Sequence, residues 1–425
     1  IFPIFQEAHD FSVNAKKQTA TQHLFTNKQL RTLLVPIMVE QLLSSLMGTA
    51  DTMMVSNVGS AAISAVSLVD AINILVIQAL SALAAGGAIL CSQYLGSQNL
   101  KKAKRSAEQV LFVMLVLSCS LSLLCLIFRF PLLRLIFGTV DTDVMANSQI
   151  YFFFTLLSFP FIGLYDAGAS ILRAQNNTKG PMTISILSNV LNIGGNAILI
   201  FVFGMGVAGA AISTLVSRIF CAIVVIWQLR NPAEQIYVRN YFSIRPDWSL
   251  IKRVLFIGIP SGIENSMFQF GKLAIQSPVS TLGTAAIAAQ AMTNILENVN
   301  GIFGIGVGMC LMTVVGQTLG AGRKEEAKYY IVKLAGIAEL GIIASCLLVY
   351  AFVGPITRLG GMEPDSARMC IEMVGAITIY KPIAWVFSFV PAYGMRAAGD
   401  VKFSMITSMT TMWCCRVALC IGLVK

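Results

Sequence analysis

The chain has 425 residues, 56% of them hydrophobic and only 12% charged, with a formal net charge of +10 and a mean hydropathy of +0.75. Soluble domains carry about 25% charged residues, so the composition excludes that class and indicates a polytopic membrane protein. The surplus Lys and Arg lie in short connecting loops, which argues against a nucleic-acid surface and makes them reporters of membrane orientation.

Residues 1–28 are polar and mixed, carry Lys16, Lys17 and Lys28, lack the pattern of a secretory signal and read as a cytoplasmic N-terminal tail. Eleven apolar stretches follow, at roughly 31–55, 61–93, 107–128, 149–172, 182–203, 207–229, 251–279, 284–316, 331–354, 368–394 and 403–424. Each is expected to be a helix, because hydrocarbon offers backbone groups no solvent partner. Basic connections ("QNLKKAKR" at 98–105, Arg173 with Lys179, 230–253, "GRKEEAKYYIVK" at 322–333, Arg396 with Lys402) alternate with loops poor in Lys and Arg near 129–147, 204–206, 280–283 and 355–367. The positive-inside rule then puts the N-terminus in the cytoplasm, with the chain in the cell (inner) membrane.

The chain also repeats itself. Pro36–Glu40 in "PIMVE" matches Pro260–Glu264 in "PSGIE", "SNVGSAAISA" at 56–65 matches "STLGTAAIAA" at 280–289, and "SQYLGSQNLKKAK" at 92–104 matches "GQTLGAGRKEEAK" at 316–328, at one offset (316 − 92 = 224). "RAQNNTK" at 173–179 matches "RAAGDVK" at 396–402 at an offset of 396 − 173 = 223. The expected fold is therefore all-α, with two parallel six-helix repeats related by an axis along the membrane normal, an architecture of transporters that rock two halves about a central site. The divisions are a first lobe at 29–230, a cytoplasmic linker at 231–250 and a second lobe at 251–425. Lys425 maps onto position 202, so the counterpart of 206–229 is expected to be absent and eleven spans present.

Charge inside hydrocarbon is costly and marks function or pairing. Glu40 and Asp51 are eleven residues apart, which on a helix puts them within roughly 20° of one face and about 16 Å apart along it. They read either as structural acids near the central axis or as part of a proton or cation relay, with Pro36 able to open the backbone before them. Glu40 recurs as Glu264; Asp51 maps onto Ile275 (51 + 224) and has no acidic counterpart. In the fifth span Asn189, Asn192 and Asn196 share one face at i, i+3 and i+7. Their neutral oxygens suit a sodium ion, with Asp51, Asn192 and Asn196 as the candidate metal ligands, or a hydrogen-bonded carboxylate; the plainer reading is interhelical packing. The second half holds Asn265, Lys272 and Glu297, with Glu264 or Glu297 expected to pair with Lys272. Asp70, Asp166, Lys381 and Trp385 are candidates for a substrate cavity, whereas Arg218 and Arg416 read as paired or snorkelling.

No enzyme or cofactor motif is present in the sequence. His9 and His23 both fall in the tail, the ten Cys show no metal or disulfide spacing, and no phosphate-binding Gly-Lys-Ser/Thr loop occurs. Energy must come from an ion gradient or from the substrate's own.

Together the half-repeats, "VPIMVEQLLSSLMGTADTMMVS", the "SQYLG" and "GQTLGAG" ends of the second and eighth spans, and "LRAQNNTK" with "MRAAGDVK" resemble the multidrug and toxic compound extrusion (MATE) transporters from about residue 29 onward. The resemblance implies twelve helices in two lobes around a cavity, and export of organic, often cationic, compounds in exchange for sodium ions or protons. By motif match it implies a cation site at Asp51, Asn192, Asn196 and Thr214, Thr214 on the resemblance alone. Some members have a further acid in the tenth span, where this chain reads "KPIAWVFSF". The expected partners are small organic substrates and the bilayer, with a monomeric chain. The competing readings are a lipid-linked oligosaccharide flippase, suggested by Lys272, Lys381 and Arg218, and a membrane receptor or integral membrane enzyme, which the parallel repeat disfavours.

Overall fold

Thr26 and Gln29 start the first helix with a capping box: the Gln29 N–H donates to the Thr26 hydroxyl and the Thr26 N–H to Gln29 Oε1. The computed structural model describes residues 23–138, 141–239, 241, 244–280, 283–359 and 361–424. Most of the expected tail, His9 included, lies outside these residues. The part that is described, from His23, is docked rather than free: Tyr330 Oη accepts from the Phe25 N–H at 2.8 Å and donates to the Phe25 carbonyl at 3.0 Å, and the His23 ring stacks on Tyr329.

The first half contains α1 (Asn27–Ser56), α2 (Ser60–Gly96), α3 (Leu100–Ile127), a short α4 (Arg129–Phe137), α5 (Thr142–Ala174), α6 (Lys179–Asn196) and α7 (Gly206–Leu229). A π-helical turn, Ala197–Val202, extends α6. The second half contains α8 (Trp248–Ser280), α9 (Thr284–Gly320), α10 (Lys324–Leu359), α11 (Pro364–Ala398) and α12 (Val401–Thr410), which continues through a π-helical turn (Thr411–Val417) to Ala418–Val424. Among the described residues ten helices are long and apolar enough to cross a membrane. The ten do not include α8, the expected seventh span, whose apolar run is diluted by Glu264, Asn265, Gln269 and Lys272. Large exposed side chains such as Leu124, Val190, Ile223, Leu340 and Leu347 cover the outer faces of the bundle, as a lipid-facing surface requires.

The repeat is visible in the backbone. Gln98 (φ 57°) and Gly322 (φ 76°) turn left-handed at an offset of 322 − 98 = 224, and Asn176 (φ 68°) and Gly399 (φ 88°) at 399 − 176 = 223. The start of the first helix of each half is buried in the other half. Phe25, Leu30, Leu34 and Ile37 join the core of Val307, Leu311, Leu334 and Val390; Leu250 and Val254 join Leu90, Leu111 and Leu172.

The halves also meet at the end that carries the basic loops. Gln93 Nε2 donates to the Ala397 carbonyl at 2.8 Å, and its counterpart Gln317 (93 + 224) donates to the Ala174 carbonyl at 2.7 Å. Gly96 lies against the Gln317 backbone and Gly320 against that of Gln93, so close that neither position has room for a Cβ. Gln317 is further paired with the Asn176 amide, and Arg253 donates to Tyr94 Oη at 2.6 Å. Just inside this seal a small cavity is lined by Ser81, Ser92, Ser170, Arg173 and Thr313.

The linker packs beneath the first half. Ile236 and Val238 are buried, the Ile236 N–H donates to Gln175 Oε1, and Asp247 pairs with Arg105 at 3.0 Å. A hydrogen bond from Ser249 holds the Asp247 carboxyl below the usual carboxylate range.

Candidate functional site

Three helices of the first half bring the Asp51 cluster together. The turn after α6 reverses through Gly204 (φ 65°) and Gly206 (φ 55°), conformations that favour glycine. It lays α7 against α6 so closely that a Cβ on Gly195 would overlap the Ser213 hydroxyl. That hydroxyl donates to the Asn192 carbonyl at 2.8 Å, and Asn192 Nδ2 donates to Thr214 Oγ1 at 3.3 Å. Asn196 Nδ2 donates to Asp51 Oδ1 at 2.5 Å and faces Asn192 Oδ1 at 3.5 Å. Asn192 and Asn196 are fully buried, and Thr214 nearly so.

Asn196 Oδ1 is enclosed with no hydrogen-bond partner. A buried acceptor without a donor is unfavourable by about 1–3 kcal/mol; a cation held at Asp51 would satisfy it once the Asn196 amide turned its oxygen, in place of Nδ2, toward the carboxylate. One carboxylate, two amide oxygens and a hydroxyl form a hard, singly charged oxygen set. That suits a monovalent cation or a proton better than a divalent ion, which recruits more carboxylates. Among the described residues no group of three or more His, Cys, Asp or Glu is placed to hold a metal ion. Asn189 lies outside the cluster, its amide returning to the Ser185 carbonyl of its own helix at 2.8 Å.

Glu40 and Glu264 are ion-paired. Arg173 donates to both Glu40 oxygens at 2.8 and 2.9 Å, with Tyr165 Oη at 3.2 Å. Arg396 pairs with Glu264 at 2.8 Å, and Ser408 donates to the same carboxylate at 2.7 Å. Both pairs are nearly enclosed, and they obey the repeat (264 − 40 = 224; 396 − 173 = 223). A carboxylate held this way serves structure, so of the two readings open for Glu40 and Glu264 the geometry favours the structural one. Arg173 and Arg396 are not the loop charges that their neighbours suggest; the signal was their recurrence in "RAQNNTK" and "RAAGDVK".

The four cavity candidates fall into two groups. Asp70 accepts from Asn73 at 3.1 Å and Tyr151 at 3.3 Å; Asp166 has one enclosed oxygen, Oδ2, without a partner; nearby Arg218 donates to Ser158 at 2.6 Å. Lys381 and Trp385 belong to α11 in the other half. Lys381 Nζ bonds the Glu297 carbonyl at 3.1 Å and approaches Glu297 Oε1 at 3.8 Å. The expected acid partners of Lys272 are thus taken, Glu264 by Arg396 and Glu297 by Lys381. Among the described residues Lys272 makes no ion pair within 4.0 Å; its ammonium lies 5.3 Å from the centroid of the Phe268 ring. Asn265, next to Glu264 on α8, is half-buried.

A model of the MatE family matches the chain twice, over residues 36–198 and 260–421. The matched starts differ by 260 − 36 = 224 and the ends by 421 − 198 = 223, the offsets read from the sequence. Similar curated proteins include the uncharacterized transporter YisQ of Bacillus subtilis, 27% identical over 89% of this chain and 83% of that protein. The probable multidrug resistance protein NorM of Thermotoga maritima is 25% identical over 94% of this chain and 86% of its own length. Among solved structures, the outward-facing conformation of a multidrug resistance MATE family transporter of the MOP superfamily has the same fold. It superposes with a TM-score of 0.87 at 20% identity, over 93% of this chain and 88% of that one.

Proposed function

Because the chain belongs to the MatE transporter family, we propose that it is a secondary antiporter that exports small organic compounds, cationic or amphipathic, in exchange for sodium ions or protons. The observation that carries this reading is the Asp51 cluster, in which the carboxylate accepts from the Asn196 amide nitrogen while the buried Asn196 Oδ1 lacks a partner. On this reading the basic loops lie in the cytoplasm, and the Gln93 and Gln317 contacts are the closed inner gate. The coupling cation then enters Asp51 from the outer side. A proton or sodium ion arriving there neutralises the carboxylate and draws on Asn192, Asn196 and Thr214, tightening α1 against α6 and α7. That change of packing biases the first half toward releasing substrate outward, and return of the halves carries the cation inward. The working unit is a monomer in the cell (inner) membrane with its N-terminus cytoplasmic.

The test is efflux of a fluorescent organic cation from cells or vesicles, with sodium and pH gradients imposed separately. Asp51→Asn is expected to insert normally and to lose gradient-driven efflux. Export by Asp51→Asn at the wild-type rate would overturn the coupling role.

A further inference from the structure

The two halves share their scaffold charges but not their interior ones. Asp51, Asp70 and Asp166 correspond to Ile275 (51 + 224), Asn294 (70 + 224) and Phe389 (166 + 223). In the opposite sense, Lys272, Glu297 and Lys381 correspond to Gly48 (272 − 224), Asn73 (297 − 224) and Ser158 (381 − 223). Three carboxylates face Arg218 in the first half; two ammonium groups face one carboxylate in the second. The interior polarity has been exchanged between otherwise matching helices.

The second-half lysines bracket a strip of three aromatic rings. Lys272 Nζ lies 5.3 Å from the centroid of Phe268 on α8; Phe268 meets Phe389 edge-on at 5.7 Å; Phe389 stacks on Trp385 at 4.5 Å with the planes 12° apart; and Lys381 Nζ lies 5.6 Å from Trp385. Each ring is half-buried, so each keeps a free edge or face. Gly304 on α9 lets Trp385 lie against the helix, since a Cβ there would overlap the indole. Glu297 pairs with Lys381 and acts on Lys272 only from beyond ion-pair distance, while Arg416 adds a second positive charge nearby; among the described residues Lys272 has no ion pair of its own. An ammonium at membrane depth is costly without a partner, and a strip of rings beside it is a surface for an aromatic ligand.

We infer that Lys272, Phe268, Phe389, Trp385 and Lys381 form a binding site for an aromatic organic anion: the ligand's ring lies along the strip and its acidic group pairs with Lys272. Lys381, fixed by Glu297, closes the far end of the strip. This inference rests on the transporter reading for its biological use, but the site itself is testable without transport. The substrates it adds are aryl acids, or zwitterions whose positive group faces the carboxylates of the first half.

Binding of 1-naphthoate to the purified full chain in nanodiscs, followed by equilibrium dialysis, tests the site, with 1-naphthylmethylammonium as the cation of matched shape. Wild type is expected to bind naphthoate in preference to the ammonium analogue. Lys272→Gln and Trp385→Ala should each weaken naphthoate more than tenfold, and Lys272→Arg should restore most of the loss. Size-exclusion profiles identify any variant that fails to fold, and the Arg variant then decides. Gly336→Ala, where a Cβ meets nothing within 4 Å, should bind naphthoate as wild type does; binding is read without any gradient, so failure of the efflux test and failure of this site are separately readable. Equal binding of the two probes, or naphthoate binding unchanged in both Lys272→Gln and Trp385→Ala, would overturn the inference.

Discussion

Replacing Gly96 and Gly320 by Ala should hold the two halves apart at the basic end. A Cβ on Gly96 would stand 2.7 Å from the Gln317 carbonyl carbon and 2.8 Å from its Cα; one on Gly320 would stand 2.8 and 2.9 Å from the same atoms of Gln93. Carbon atoms pack at about 3.5–4.0 Å, so α2 and α9 must part by roughly 1 Å at each contact, against backbone that has no rotamer to yield. Overpacking of this kind costs about 1–3 kcal/mol, and the cost arises only when the ends touch. The inward-closed population should therefore fall relative to the open one by roughly 5- to 150-fold. The assay is pulsed-EPR distance measurement between nitroxides at Lys101→Cys and Glu325→Cys (101 + 224 = 325), on a background from which the ten native Cys have been removed. The double variant should shift the distribution to longer distances, while Gly336→Ala, where a Cβ meets nothing within 4 Å, should leave it unchanged. An unshifted distribution in well-expressed Gly96→Ala/Gly320→Ala protein would refute the argument.

Other perturbations separate the roles assigned above. Glu40→Gln leaves Arg173 buried without its counter-charge and should lower stability by about 3–5 kcal/mol, read as a depressed Tm; Glu264→Gln should behave alike, and transport lost at an unchanged Tm would restore the relay reading. Asn196→Ala should weaken dependence on the coupling cation while expression is kept, checked by the cation concentration for half-maximal efflux; no change there would remove Asn196 from the ligand set. Gln317→Ala should open the basic end more than Gln93→Ala, because Gln317 also holds the Asn176 amide; each buried group left without its partner costs about 1–3 kcal/mol, and the same EPR distance ranks the two.

The helices and their pairing were legible because hydrocarbon enforces a simple rule, an apolar run of fixed length, and because a duplicated chain keeps its spacing. Asp51, Asn192 and Asn196 were legible for a related reason: polar groups stand out against an apolar background, and helical periodicity aligns the amides. The partners were harder to see. Glu40 was visible, but Arg173 sits beside a basic loop, where charge and position suggest solvent; only the packing of α5 on α2 and α7, which brings its end within reach of Glu40, reveals it as buried. Lys272 was assigned an acid because every intramembrane cation needs compensation, but Arg396 and Lys381 claim the two acids first. Gly96 and Gln317 are 221 residues apart (317 − 96), and no local pattern announces a contact made between halves. The docked segment at Phe25 was hidden likewise: its polar neighbours argue for a tail, and its buried contacts come from α10.

The contacts at the basic end have the logic of a homodimer. Gly96 meets Gln317 while Gly320 meets Gln93, and each Gln donates to the end of the opposite half's long helix, Ala397 or Ala174. In each case residue i touches j where the counterpart of j touches the counterpart of i, which is the signature of an isologous interface closed by a two-fold axis. A six-helix ancestor inserted in one orientation could have made this seal with a second copy of itself before the two were joined. Fusion then freed the halves to diverge wherever symmetry was not needed. The seal kept its matching residues, while the interior was released to carry acids on one side and lysines on the other.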